Sequence, residues 1–161
     1  MIVMRYVAVG LSILALMFLV TTVFWAVNVQ TTRAHCQVPC GIYDDQARID
    51  RLQEDAATIG KAIENISELA GRRDAQSVNQ AVRWINTKED HATHIIDVVS
   101  EYFLTQKVKV VAPGTEGYEP YLKRLADHHA VMVAAMKTKQ KADTASVNAL
   151  KNAIEALAAH Y

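Results

Sequence analysis

Residues 49–69, IDRLQEDAATIGKAIENISEL, carry the pattern from which the fold is read. Ile49, Leu52, Ala56, Ile59, Ile63, Ile66 and Leu69 recur at steps of three and four, which puts them on one face of a helix. Gly71 follows at the place where a C-terminal cap belongs. Working toward the C-terminus, a second helix can open on Ser77 as N-cap. It presents Val78, Ala81, Val82, Ile85, Ala92, Ile95, Val99 and Phe103 and ends near Gln106. The stretch KVKVVAPGTEG (107–117) breaks the period with Pro113, Gly114 and Gly117, and its KVKVV is the one brief candidate strand. A third helix has Pro120 in its first turn and Tyr121, Leu125, His128 or His129, Met132 and Met136 on its face. Asp143 or Thr144 can cap a fourth, striped by Val147, Leu150, Ile154, Leu157 and Tyr161. Short loops between four amphipathic helices predict an all-α, antiparallel four-helix bundle over residues 44–161.

The full chain of 161 residues carries 17 basic and 17 acidic side chains, and that neutral balance argues against a nucleic-acid partner. The average hides an asymmetry, because residues 1–34 hold only Arg5 and Arg33 and no acid. Residues 6–32 are uncharged, and a run of that length suffices to span hydrocarbon and exceeds the core of a usual signal peptide. Thr32 and Ala34, small residues two places apart, are also what a signal peptidase accepts. The segment reads either as a retained anchor or as a removed signal. Both place the remainder outside the cytoplasm, with membrane contact only through residues 6–32 if they stay attached.

The histidines of the bundle do not follow the Glu-x-x-His spacing of di-iron bundles. His91 and His94 could share a face as metal ligands, but no carboxylate repeat supports them, and a surface or core role explains them better. The two cysteines lie in His35-Cys36-Gln37-Val38-Pro39-Cys40-Gly41-Ile42-Tyr43. A Cys36–Cys40 disulfide in a membrane-anchored sensor or interaction domain is one reading. The other follows from the position of the motif directly after Ala34. Cleavage there makes His35 the N-terminus, with an α-amine and an imidazole. That amine, the Cys36 amide nitrogen and the Cys36 and Cys40 thiolates make a square set of two nitrogens and two sulfurs, which suits Ni(II) or Cu(II). Such a site could also bind metal without turnover.

The stretch HCQVPCGIY (35–43) resembles the nickel-binding hook at the mature N-terminus of nickel-containing superoxide dismutases, written H-C-x-x-P-C-G-x-Y. All six fixed positions match. Weaker likeness continues through Gln46-Ala47-Arg48-Ile49, Lys88-Glu89 and Glu101-Tyr102-Phe103. The resemblance implies a four-helix bundle in a homohexamer, a nickel ion and superoxide as substrate, dismuted to dioxygen and hydrogen peroxide. It implies nickel ligation by His35, Cys36 and Cys40, a turn held by Pro39 (as a cis peptide), room left by Gly41, and Tyr43 over the open face. A processing peptidase is implied as well, since the amine of His35 cannot ligate while Ala34 is attached. The sequence departs from the family in three places. The segment after Tyr43 is one residue short, and helix 2 is about one turn short between Glu89 and Tyr102. Asp50 and His91 stand at the positions of a helix-1 glutamate and a helix-2 arginine that orient the axial imidazole. Loss of residues 1–34 would leave a mildly acidic bundle of net charge −2.

Overall fold

The computed structural model describes residues 44–161 together with Met17. By its internal contacts the chain divides into two units, Met1–Ala34 and His35–Tyr161. The described part of the second is all helical. Helix α1 spans Asp45–Leu69 and α2 spans Ala75–Asp97. A π-helical segment, Val98–Lys107, continues α2. Helix α3 spans Tyr118–Gln140, and α4 spans Thr144–Ala158. Each α-helix packs on the next, and α4 closes the ring against α1. Consecutive helices run antiparallel, as shown by Tyr102 meeting Asp45 while His91 and His94 meet Asp55. Among the described residues no helix is long and apolar enough to cross a membrane. The apolar run 6–32 lies outside the described residues, Met17 excepted.

The core is the stripe read from α1, with Ile49, Leu52, Ala56 and Ile59 fully buried. Ile95, Val99, Phe103, Val131, Leu150, Ile154 and Leu157 meet it from the other helices. Gly60 lets α1 and α4 approach closely, since a Cβ there would stand 3.3 Å from Val147 Cγ1. Loop chemistry sets the helix ends. Gly71 lies just past α1 with φ +84°, a left-handed conformation that only glycine takes without cost. Gly117, with φ +86°, precedes α3.

Several expectations are corrected. Asp74, not Ser77, caps α2: its carboxylate accepts from the Ser77 backbone N–H at 2.9 Å and the Ser77 hydroxyl at 2.6 Å. Val78, Val82 and Ile85 are exposed, so the first half of α2 turns that stripe outward. Met136 is also exposed, and α3 buries Val131, Ala134, Ala135 and Thr138 instead. KVKVV is not a strand; no strand occurs among the described residues. The last ten residues of the second helix are π rather than α. Its wider turn is visible in i→i−5 bonds: Val108 N–H to the Phe103 carbonyl at 3.0 Å, and the Thr105 hydroxyl to the Ser100 carbonyl at 2.7 Å. Fewer degrees of rotation per residue place Tyr102 and Phe103 side by side in the core.

Lys88 is buried at 4% exposure. Its ammonium donates to the Thr138 and Lys139 carbonyls, each at 2.8 Å, and to Glu89 Oε1 at 2.6 Å. These carbonyls lie in the last turn of α3, where a helix lacks internal donors and presents the negative end of its dipole. Lys88→Met leaves them unpaired next to an apolar chain. The expected cost is about 2 kcal/mol, read as a lower urea midpoint at unchanged slope.

Candidate metal centre

His35, Cys36, Pro39, Cys40, Gly41 and Tyr43 lie outside the described residues. The structure shows the platform from which they depart. Asp44 caps α1, its carboxylate accepting from the Gln46 backbone N–H at 2.9 Å. One residue on, Asp45 Oδ1 accepts from the Tyr102 hydroxyl at 2.6 Å and pairs with Lys107 Nζ at 2.8 Å. The Arg48 guanidinium and the Lys107 ammonium lie 5.3 and 5.6 Å from the centre of the Tyr102 ring. The start of α1 is thereby fixed to the π-helical segment by a phenol and a cation together. Burial, followed by the Asp45 hydrogen bond, raises the Tyr102 pKa, so the ring remains a phenol.

Of the residues matched to the family's orienting pair, Asp50 is exposed and accepts from Gln46 Nε2 at 2.8 Å. His91 pairs elsewhere. Its Nδ1 donates to Asp55 Oδ1 at 2.6 Å, and His94 Nδ1 donates to Asp55 Oδ2 at 2.6 Å. Asp55 is fully buried, with Arg51 Nε a further 3.7 Å from Oδ1. Among the described residues no hydrogen bond joins Asp50 to His91. Sequence reasoning missed Asp55, although a signal was present. An acid three residues after Leu52 and four before Ile59 sits on the apolar stripe itself, and a carboxylate there requires buried donors. Two histidines spaced i, i+3 on the neighbouring helix supply them.

A second cluster closes the same end of the bundle. His128 is fully buried, whereas His129 is exposed, which resolves the choice between them. His128 Nδ1 lies 2.6 Å from the Arg124 carbonyl, and Nε2 lies 2.9 Å from the Tyr161 hydroxyl. The His160 ring stacks on His128 at 6.3 Å between centres, and His160 Nε2 contacts Asp127 Oδ2 at 2.6 Å. Phe103 fills the centre, 4.5 Å from the Tyr161 ring, 5.1 Å from Tyr102 and 5.9 Å from His128. Burial pushes the His128 pKa below the usual imidazole value. The unfolded chain takes up a proton below a pH of about 6.5 that folded His128 refuses. Its contribution to stability is therefore complete above that pH and is lost as the pH falls through it. The urea midpoint is expected to fall from pH 7.5 to 5.5, more steeply than in His128→Asn.

Among the described residues no three His, Cys, Asp or Glu side chains are grouped to hold a metal ion. Fold and motif together define a class: a four-helix bundle preceded in sequence by a short segment with a histidine and two cysteines. The family model of nickel-containing superoxide dismutase matches residues 30–161, and the chain belongs to that family. It is accordingly an oxidoreductase with a nickel cofactor and superoxide dismutase activity. The matched span includes the cysteine motif and the whole bundle. No curated protein and no solved structure matches the chain.

Proposed function

We propose that the chain dismutes superoxide at a nickel hook formed by residues 35–43 after cleavage between Ala34 and His35, outside the cytoplasm. The observation that carries this reading is the H-C-x-x-P-C-G-x-Y motif lying inside the matched span and directly ahead of the anchored start of α1. The donor set fits the ion. An amine, an ionised amide nitrogen and two thiolates are strong-field, anionic ligands that favour a square-planar d8 metal. His35 would hold it by its amine and imidazole, Cys36 by its amide nitrogen and thiolate, and Cys40 by its thiolate. When bound, nickel supplies a one-electron couple whose potential these donors bring between the two superoxide half-reactions.

The chain's own residues do the rest. Pro39 and Gly41 would bend the backbone so that Cys40 returns to Cys36. Tyr43 would offer a hydroxyl as hydrogen-bond donor to an incoming anion. Asp50 and His91 are assigned to support of the His35 imidazole. With His91 Nδ1 held by Asp55, any bond it makes toward the hook must come from Nε2. Ligation protects the thiolates from oxidation by the peroxide product.

N-terminal sequencing and metal analysis of the protein from its native host test the reading. A chain beginning at His35 with about one nickel per subunit is the expected result. An intact Met1 with Cys36 and Cys40 oxidised to a disulfide would overturn it.

A further inference from the structure

We propose that Tyr161 and His128 form a second redox site, a phenol bonded to a neutral imidazole, which intercepts one-electron oxidants of the carbonate-radical class. A carbonyl oxygen can only accept, so the 2.6 Å contact with the Arg124 carbonyl places the proton of His128 on Nδ1. The lone pair of Nε2 then faces the Tyr161 hydroxyl at 2.9 Å. The imidazole is buried and neutral, ready to accept a proton. Burial also pushes the Tyr161 pKa up to about 12, so the phenol keeps its proton until an electron leaves. A phenol that has lost an electron is a strong acid. Most exposed tyrosines must release that proton to water, whereas here the acceptor is already in contact.

The step balances. One electron passes from the Tyr161 ring to the carbonate radical anion, which becomes carbonate. The phenol O–H bond breaks and an N–H bond forms at His128 Nε2, leaving a neutral phenoxyl radical beside an imidazolium. Arg124 and His160 disfavour that positive charge, and Asp127 favours it. The Asp127 carboxylate is 2.6 Å from both His160 Nε2 and Lys123 Nζ. In the return step superoxide gives one electron and leaves as dioxygen, while the proton moves back from Nε2 to the phenoxyl oxygen. That return step rests on superoxide being this protein's substrate, and the oxidation step does not. The Phe103 ring joins Tyr161 to Tyr102, which is bonded to Asp45 at the start of α1.

Pulse radiolysis with carbonate radicals tests the site on the full nickel-loaded chain, with phenoxyl absorption as the readout. The expected result is a radical signal mostly lost in Tyr161→Phe and retained in Tyr102→Phe. Its formation should be slower in heavy water, because proton and electron move together. A signal undiminished in Tyr161→Phe, or a rate unchanged in heavy water, overturns the proposal. The heavy-water measurement needs no variant and stands even if Tyr161→Phe does not fold. Cys36→Ser, expected to bind nickel poorly, should form the radical as well as the parent does, so a failed dismutase reading leaves this result intact. Faster loss of the radical on adding superoxide supports the return step, and an unchanged decay removes that step from the proposal.

Discussion

A chain that carries one extra residue ahead of His35 is expected to lose superoxide turnover by at least about 100-fold, beyond the 10–100-fold typical of outer-shell changes. The extension converts the terminal amine to an amide. It also moves the free amine one residue further from the Cys36 nitrogen, which opens the chelate ring. Cys36→Ser and Cys40→Ser are expected to do the same by a different route. Each replaces a soft, polarisable thiolate with a hydroxyl that stays protonated at neutral pH and binds nickel poorly. Superoxide decay after pulse radiolysis, normalised to protein after incubation with nickel, is the measurement. Near-normal turnover in any of the three variants would take the active site away from residues 35–43. The bundle should be untouched, because the variants lie ahead of its first helix, and helical circular dichroism serves as the control.

Phe103→Ala has the largest expected effect on stability. The ring is fully buried and touches Tyr102, His128 and Tyr161. Truncation removes the transfer energy of a phenyl group and leaves a cavity. Its neighbours cannot refill that cavity, because their polar atoms are already tied to Asp45 and to one another. The cost is about 3–5 kcal/mol, which for a domain of this size lowers the melting temperature by roughly 10–20 °C. Phe103→Leu, which keeps much of the volume, should recover a large part of that loss. If Phe103→Ala melted within a few degrees of the parent, the aromatic cluster would not be a structural keystone.

What the sequence made legible, and what it did not, divides along physical lines. Ile49 to Leu69 announced α1 because its burying face is apolar at nearly every turn, so hydropathy and periodicity agree. The four-helix architecture and the caps around Gly71 and Asp143 followed for the same reason. Legibility failed where polar residues occupy core positions. Asp55, Lys88, His128 and Thr138 are buried because specific partners on other helices satisfy them, and no window along the chain contains those partners. The outward turn of Val78, Val82 and Ile85 escaped notice because periodicity defines a face and not the direction in which it points. The π-helical segment was hidden too, since Val99 and Phe103 fit an α period as readily as a π one. For the hook the balance is reversed. The proposed ligands all lie within nine residues, so the reading there is local by nature, and it falls outside the described residues.

The anchored start of α1 has a metric consequence. Residues 35–43 number nine, a length of chain that even fully stretched reaches about 30 Å. Helix α1, with 25 residues, is about 37 Å long. A metal held, as proposed, by residues 35–43 would stop short of the far end of its own bundle, where Asp74 and Asp143 cap their helices. On that proposal, substitutions there would act on the mechanics of the scaffold, and every group able to act on the nickel within one chain would lie inside the radius drawn from Asp44.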